Sequence, residues 1–255
     1  MMQNTIKKLE LPIIYDINKF QLMFPFHEKG HLVIAGDSLT LVSYSLNYIL
    51  RMGMHYYNPN ELKYLIYSKS ITKKTYVQLE NYLRKPIVHT EIDLLELLRW
   101  VKKTLSIRYR MFRTYHSRDI YAFNLKVKNK EINKRLLSPL MIIIDDMPKL
   151  DDPNNHLISK LIIEIAQQSR AAGIHLVIST INVQSSLGNY HKYVMPYGIV
   201  SKLDSDDDSR FLTGFENREK LNANEVAYYE YSKNYEAFKI LDERTENSSR
   251  ILTSQ

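Results

Sequence analysis

A glycine that follows a short apolar run is the first residue in this sequence whose position suggests chemistry. Residues 31–35 read HLVIA, Gly36 follows them, and Ser43 stands seven positions after the glycine. A buried strand, a turn that opens with glycine and a hydroxyl at the start of a helix are the layout of a phosphate-binding loop, G-x-x-x-x-G-K-[ST]. Gly36, Ser38 and Ser43 are therefore the candidate cofactor-binding residues, and the Ser43 hydroxyl is a candidate Mg²⁺ ligand.

Three residues inside this loop depart from the pattern. Leu41 stands where a second glycine would let the backbone approach a phosphate oxygen, and Val42 stands where a lysine would neutralise the β- and γ-phosphates. Asp37 adds a negative charge where an anion would bind. We interpret the segment as a degenerate phosphate-binding loop, and the alternative is an ordinary turn that happens to contain a glycine.

The rest of the chain predicts the elements that would position this loop. Short, continuously apolar runs alternate with longer segments of helical period, and continuous apolarity is what a strand buried on both faces requires. The predicted strands are residues 31–35, 62–67, 140–144, 174–179, 198–202, 225–229 and 237–241, and the predicted helices are residues 41–52, 92–115 and 157–172. This alternation predicts an α/β fold with a mainly parallel central sheet flanked by helices. We expect a single domain over residues 1–241 and a polar, disordered tail over residues 242–255.

Composition narrows the class of protein without choosing a function. The 255 residues include no cysteine, which excludes disulfides and thiolate metal sites and is compatible with a reducing cytosol. No apolar run reaches the ~18 residues that cross a bilayer, so a role at a membrane would need a partner that recruits the chain. The net charge of +7 either serves a polyanion such as nucleic acid or reflects a sequence rich in Asn, Ile and Lys.

One basic stretch is the candidate surface for duplex DNA. Its cations are Arg99, Lys102, Lys103, Arg108, Arg110, Arg113, Arg118, Lys126, Lys128, Lys130, Lys134 and Arg135. Duplex binding would require these side chains to face a common channel. The simpler interpretation is a solvated helix face followed by a charged loop.

Four segments resemble, in order and approximate spacing, the motor core of the FtsK/SpoIIIE family. Residues 99–124 contain IRYRMF and SRDIYAFN, and the strand at residues 140–144 continues as DDMPKL. Residues 165–180, IAQQSRAAGIHLVIST, are similar nearly residue for residue to the family's L-A-x-x-x-R-A-A-G-I-H-L-I-L-A-T run. Residues 205–221 contain the family motif D-S-R. The resemblance spans roughly residues 10–240 and implies a RecA-like P-loop NTPase fold.

The resemblance also implies roles for several residues at the ends of strands. Asp145 takes the place of the Walker B aspartate that organises Mg²⁺, and Asp146 takes the place of the catalytic glutamate. Aspartate is one methylene shorter, so a water positioned by Asp146 would lie off the in-line geometry. Ile181 stands where the family has a sensor glutamine, and Asp208 and Arg210 take the places of subunit-interface residues. The alternative for the two aspartates is that they only cap the strand.

The segments that shape the fold resemble the family, whereas the residues of the ATP site are altered. We therefore interpret the chain as a non-hydrolysing pseudo-ATPase. ATP and Mg²⁺ are implied by ancestry alone, and we expect this chain to use neither. The expected role is a motor-core subunit linked to DNA translocation or partitioning, on a mobile element or in cell division, in the cytoplasm. Its expected partners are duplex DNA, further copies of itself or an active homologue. The alternatives are a weakly active ATP-dependent DNA translocase and a protein-binding domain related to type VII secretion ATPases.

Overall fold

Strands and helices alternate along most of the chain. A computed structural model describes residues 5–37, 39–71, 78–149, 155–188, 190–215, 221–222 and 224–240, so that Ser38 and the predicted tail lie outside the described residues. The strands in these ranges are β1 Leu11–Tyr15, β2 Gln21–Phe24, β3 Leu32–Ala35, β4 Lys63–Tyr67, β5 Leu140–Ile144, β6 Ile174–Thr180, β7 Tyr197–Val200, β8 Glu225–Glu230 and β9 Asn234–Lys239. The helices there are α1 Phe26–Lys29, α2 Leu39–Tyr56, α3 Leu79–Tyr82, α4 Glu91–Thr114, α5 Ile120–Lys128, α6 His156–Gln168, α7 Val183–Leu187, α8 His191–Val194 and α9 Asp206–Thr213. None of the helices in the described ranges is long and apolar enough to span a bilayer.

Within the described residues, the central sheet has seven strands in the order β4-β5-β6-β3-β7-β8-β9. The five strands from β4 to β7 in this order are parallel, and β8 pairs antiparallel with both β7 and β9. Every side chain of β5 and β6 is buried, because helices cover both faces of the sheet. The prediction of an α/β fold with a mainly parallel, helix-flanked sheet is confirmed.

Two hydrophobic clusters occupy the two faces of this sheet. Val33 belongs to the cluster that includes residues of α4 and α6, and Ile34 belongs to the cluster that includes residues of α2. Successive strand residues point to opposite faces, so β3 contributes to both clusters. A hairpin of β1 and β2, which the sequence analysis does not predict, packs against α2 on the second face.

Buried histidines join β3 and β6 at their amino-terminal ends. His31 Nδ1 accepts the Leu176 N–H (2.9 Å), so its Nε2 carries the proton and donates to the Ala166 carbonyl (2.9 Å). His175 Nδ1 bonds to the Gly30 carbonyl (2.8 Å). Burial lowers the pKa of His31 to about 4 and that of His175 to about 3, so both imidazoles are neutral at neutral pH.

The buried guanidinium of Arg108 connects α4 by hydrogen bonds to the amino-terminal end of the sheet. Arg108 donates from Nη1 to the Ala172 carbonyl (2.6 Å) and from Nη2 to the Ser138 carbonyl (2.7 Å). Gly173 has a φ of +66°, and a Cβ there would lie 2.6 Å from Ile120 Cδ1. The RAAGIHL run, which is the most specific part of the resemblance, therefore carries packing and turn geometry.

Several elements differ in extent from the sequence-based expectation: α2 spans Leu39–Tyr56 where residues 41–52 are predicted, and β9 spans Asn234–Lys239 where residues 237–241 are predicted. The helix predicted at residues 157–172 ends at Gln168, because the chain turns toward the left-handed Gly173 before β6 begins. The segment after α4 forms a further helix, α5, which is not among the predicted helices. Its N-cap is Asp119, whose carboxylate accepts the Ala122 N–H (2.7 Å).

Candidate functional site

Backbone groups at the carboxyl end of β3 and just after it form hydrogen bonds within the protein. The Asp37 N–H donates to the Lys202 carbonyl (2.8 Å), and the Ser201 N–H donates to the Ala35 carbonyl (2.9 Å). In a phosphate-binding loop, backbone N–H groups point at the anion. Here α2 begins two residues before Leu41, so Leu41 and Val42 lie in the first turn of the helix.

Packing against Ser201 accounts for the glycine at position 36. A Cβ on Gly36 would lie 1.7 Å from Ser201 Oγ and 3.0 Å from Ser201 Cβ. Ser201 Oγ is buried, and it has no hydrogen-bond partner among the residues that the structure describes. Gly36 therefore lets the chain after β3 pass against the chain after β7.

The two substituted loop positions face the apolar interior. Val42 is only 3 % exposed and belongs to the same cluster as Ile34 and Leu46, and Leu41 packs half-buried against that cluster. A lysine ammonium at position 42 would be buried among apolar side chains unless the first turn of α2 unwound. Position 42 therefore offers no cation to the β- and γ-phosphates of ATP.

Asp145, directly after β5, is held by a net of hydroxyl groups. Ser68 Oγ and Ser70 Oγ donate to its Oδ2 (2.6 and 3.0 Å), and Ser179 Oγ donates to its Oδ1 (3.1 Å). Ser179 Oγ also accepts the N–H of Asp146 (3.0 Å). Hydrogen bonds to a carboxylate are among the stronger ones, so the Asp145 side chain is fixed in one orientation.

The hydroxyl groups around Asp145 come from the ends of β4 and β6, and Ser43 is not among its described partners. Ser43 is half-buried on α2. Within the described ranges, no three His, Asp or Glu side chains cluster in a way that could hold a metal ion. The assignment of Ser43 and Asp145 as Mg²⁺ ligands stays a prediction that no contact in this part of the chain supports.

Asp146 lines a pocket of about 460 Å³ at the carboxyl ends of β4, β5 and β6. Lys69, Glu91, Lys149 and Asn182 are among the other lining residues. The backbone of Asp146 is left-handed (φ +57°), which aspartate tolerates better than most residues. Burial at the pocket wall is the main cause that raises the pKa of Asp146, and the negative charge of Asp145 raises it further. The catalytic role assigned to Asp146 stays a prediction.

Sequence reasoning misses the polar residues that share this pocket with Asp146. It assigns the sensor position to Ile181, which packs against the apolar cluster on the α2 face. Asn182, one residue later, lines the pocket, and Lys69 and Glu91 reach it from the end of β4 and the start of α4. The signal that could find them is position, because polar residues beside the carboxyl ends of parallel strands share one edge of the sheet.

Asp208 and Arg210 lie on α9. Ser205 is the N-cap of α9 and accepts the Asp208 N–H (3.1 Å), and its hydroxyl donates to Asp208 Oδ2 (2.9 Å). Gln184 Nε2 donates to Asp208 Oδ1 (2.8 Å), which ties α9 to α7. Asp208 thus has a role inside one chain, whereas Arg210 is exposed. The subunit interface assigned to the two residues stays a prediction.

The predicted duplex-binding cations do not form an uninterrupted track. Arg108 is buried and bonded to backbone carbonyls, so it is not available to a phosphate. Lys102 pairs with Glu164 and Arg99 pairs with Glu96, each at 2.5 Å. Locally paired cations on a helix face are typical of a solvated surface, and duplex DNA as a partner stays a prediction.

Solved structures with the same fold define the class of protein. The cytoplasmic domain of the Thermomonospora curvata type VII secretion ATPase EccC is 17 % identical, with a TM-score of 0.76 over 94 % of this chain and 30 % of that one. The pCW3 conjugation coupling protein TcpA, solved as a monomer with ATPγS, is 14 % identical, with a TM-score of 0.73 over 92 % of this chain and 66 % of that one. The fold is that of RecA-like P-loop ATPases, as the sequence analysis predicts.

Sequence comparison identifies the family within this class. The model of the FtsK/SpoIIIE family matches residues 7–185, and the chain belongs to that family. The DNA translocase FtsK of Chlamydia pneumoniae is 31 % identical over 188 residues, which are 70 % of this chain and 23 % of that protein. The DNA translocase FtsK of Borreliella burgdorferi is 28 % identical over 207 residues, 81 % of this chain and 26 % of that protein. The chain thus spans about a quarter of the length of these relatives.

Proposed function

We propose that this chain is a non-hydrolysing subunit of an FtsK/SpoIIIE-type assembly, a pseudo-ATPase built on the motor fold. The observation that carries the proposal is Val42, which stands at the lysine position of the phosphate-binding loop and is 3 % exposed in the apolar core. The bond from the Asp37 N–H to the Lys202 carbonyl supports it, because this bond uses a backbone group of the loop that could otherwise bind phosphate.

The energetics of phosphoryl transfer explain why these changes should abolish turnover. In this reaction the protein positions the phosphates and neutralises their developing charge, and it does little covalent chemistry. Removing one preorganised donor typically costs about 3 to 4 kcal/mol of transition-state stabilisation. Loss of the lysine together with the backbone cradle therefore leaves too little stabilisation for appreciable ATP hydrolysis.

The assembly that we propose acts in DNA translocation or partitioning in the cytoplasm. Its support is the likeness to proteins named DNA translocase FtsK, of which this chain matches one portion. The subunit would associate with further copies of itself or with an active homologue, and Asp208 and Arg210 on α9 are the residues we assign to that contact. The active homologue would supply the ATP turnover.

Calorimetric titration with Mg-ATP and Mg-ADP tests the proposal on the wild-type chain. We expect no binding, and a wild-type Kd below about 1 mM, equivalent to about −4 kcal/mol, would overturn the proposal. ATP hydrolysis that rises when duplex DNA is added would instead support a weakly active translocase.

A rebuilt loop makes the test sharper. The variant Leu39→Gly, Leu41→Gly, Val42→Lys opens the first turn of α2 and restores the cation, because glycine disfavours helix. Its matched control carries the two glycines without the lysine. Binding by the lysine variant alone would show that the missing cation and the helical loop account for the wild-type behaviour, whereas equal binding by both variants would contradict the role that we give to Val42.

A further inference from the structure

A groove runs between α4 and α6 on the face of the sheet opposite α2. It encloses about 210 Å³, and Leu95, Leu157 and Leu161 provide its apolar lining. Leu95 and Leu161 are half-buried against the core, whereas Leu157 is 48 % exposed. Ile92, nearly one turn before Leu95 on α4, is 76 % exposed. The α4–α6 groove therefore presents a strip of aliphatic side chains to solvent.

Cations outnumber carboxylates along this strip. Arg99, Lys102 and Lys160 line the groove together with a single carboxylate, that of Glu164. Lys102 Nζ lies 2.5 Å from Glu164 Oε2, and this hydrogen bond, helped by the charges of Lys102 and Lys160, lowers the pKa of Glu164. The charge of Glu164 is thus balanced by Lys102 and that of Arg99 by Glu96, and Lys160 leaves the groove with a net positive charge.

We propose that the α4–α6 groove docks an acidic amphipathic helix of a partner protein. From Leu95 to Lys102 the groove extends over seven residues of α4, or about 10 Å at 1.5 Å per residue. That length suits about two turns of a second helix, whose leucine-type residues at i, i+3, i+4 and i+7 would cover the aliphatic strip. Its flanking carboxylates would pair with Lys160, because Arg99 already pairs with Glu96.

The chemistry of the groove favours a protein helix over nucleic acid. A duplex backbone gains affinity by neutralising phosphates with lysine and arginine. Here Glu164 would face those phosphates, and Leu157 and Ile92 offer no hydrogen bonds to them. An acidic helix satisfies both properties, because it covers the apolar strip and matches the sign of the charge.

The docking proposal stands apart from the question of ATP turnover. The residues of the α4–α6 groove lie on two helices that contribute nothing to the segment between β3 and α2. A chain that binds ATP could still dock the helix, and a chain that does not bind ATP could lack the docking site. The two proposals are therefore tested by separate measurements.

Fluorescence anisotropy with a designed peptide tests the groove. The probe is a labelled peptide of about 15 residues with leucines at helical spacing and glutamates elsewhere, and its control has the same composition in scrambled order. We expect the wild-type chain to bind the amphipathic peptide at least about tenfold more tightly than the scrambled one. Leu157→Ser and Lys160→Glu should each weaken that binding by about tenfold, and both replace exposed residues, so folding is preserved.

A charge reversal on the same helix is the matched control. Arg113→Glu changes an exposed cation in the last turn of α4, outside the groove, and should alter peptide affinity by less than about twofold. Equal affinity for the two peptides, or no binding of either, would overturn the proposal. So would an effect of Arg113→Glu as large as that of Lys160→Glu, or a short DNA duplex that binds through Lys160 when the peptide does not.

Discussion

The two ends of β3 differ in what their side chains do. At the amino-terminal end, His31 is buried, neutral and hydrogen-bonded on both nitrogens to α6 and β6. At the carboxyl-terminal end, Gly36 packs against Ser201, and Val42 is turned into the apolar cluster beneath α2. The resemblance to the family is nearly residue for residue beside the first end and breaks down at the second.

The difference separates the residues that stabilise this fold from those that bind a ligand in it. At the amino-terminal end, His31 and Arg108 bond to backbone groups of the chain, so the loss of either side chain would leave buried groups unpaired. At the carboxyl-terminal end the groups expected for a ligand are replaced by apolar or self-bonded ones, which stabilise the fold without a nucleotide. The hydroxyl groups around Asp145 are an intermediate case, because polar side chains are present there but bond to one another.

The largest expected effect comes from restoring a cation at the altered end alone. Val42→Lys buries an ammonium without a partner, which should lower the free energy of unfolding by about 3 to 5 kcal/mol at neutral pH. A buried lysine has a lowered pKa, so this penalty should shrink as the pH rises toward about 10. Urea denaturation at pH 7 and pH 9 measures both quantities.

The control for that experiment is Val42→Ala, which removes volume and adds no charge. It should cost about 2 kcal/mol with no dependence on pH over the same interval. A Val42→Lys variant that is as stable as the wild type would show that position 42 reaches solvent. The contrast between the two ends of β3 would then be wrong, and ATP binding by this single variant would become plausible.

A second prediction concerns the histidine end and the effect of acid. The unfolded chain binds protons on histidine below about pH 6.5, whereas folded His31 resists protonation down to about pH 4 and His175 down to about pH 3. Stability should therefore be fully present above pH 6.5 and fall as the pH drops, by up to about 1.4 kcal/mol per pH unit and histidine. For His31 alone this amounts to about 3 kcal/mol by pH 4.

Denaturant titrations across pH 4 to 7 measure how the free energy of unfolding depends on pH, in the wild type and in a variant that lacks one buried histidine. His175→Phe should reduce the slope by about one proton, because the pKa values of the other buried histidines, His31 and His191, are also lowered and continue to contribute. Identical slopes for the wild type and His175→Phe would mean that this end of the sheet does not hold its histidine neutral.

Sequence patterns predict the strands of the sheet, but they do not give the geometry of the loop after β3, and the reason is physical. Continuous apolar runs require burial on both faces, so β5 and β6 follow from composition alone. The sequence shows that position 42 is valine and not lysine. It does not show whether this side chain faces a ligand site or the core, because that depends on where α2 begins. A shift of one residue at the end of β6 likewise decides whether Ile181 or Asn182 lines the pocket. The β1–β2 hairpin is too short for its pattern to be distinctive.

The smallest effect expected tests whether Gly36 is needed for packing or for a ligand. Gly36→Ala places a methyl group 1.7 Å from Ser201 Oγ, so a buried hydroxyl must move, at a cost of about 1 to 2 kcal/mol. In a Ser201→Ala background the clash with Oγ is gone, and the cost should fall by about 1 kcal/mol, measured as a double-mutant cycle in urea. Additive effects of the two substitutions would contradict the packing explanation. A Gly36→Ala chain of unchanged stability would bring back the interpretation that the glycine serves a phosphate, and would remove one of the differences between the two ends of β3.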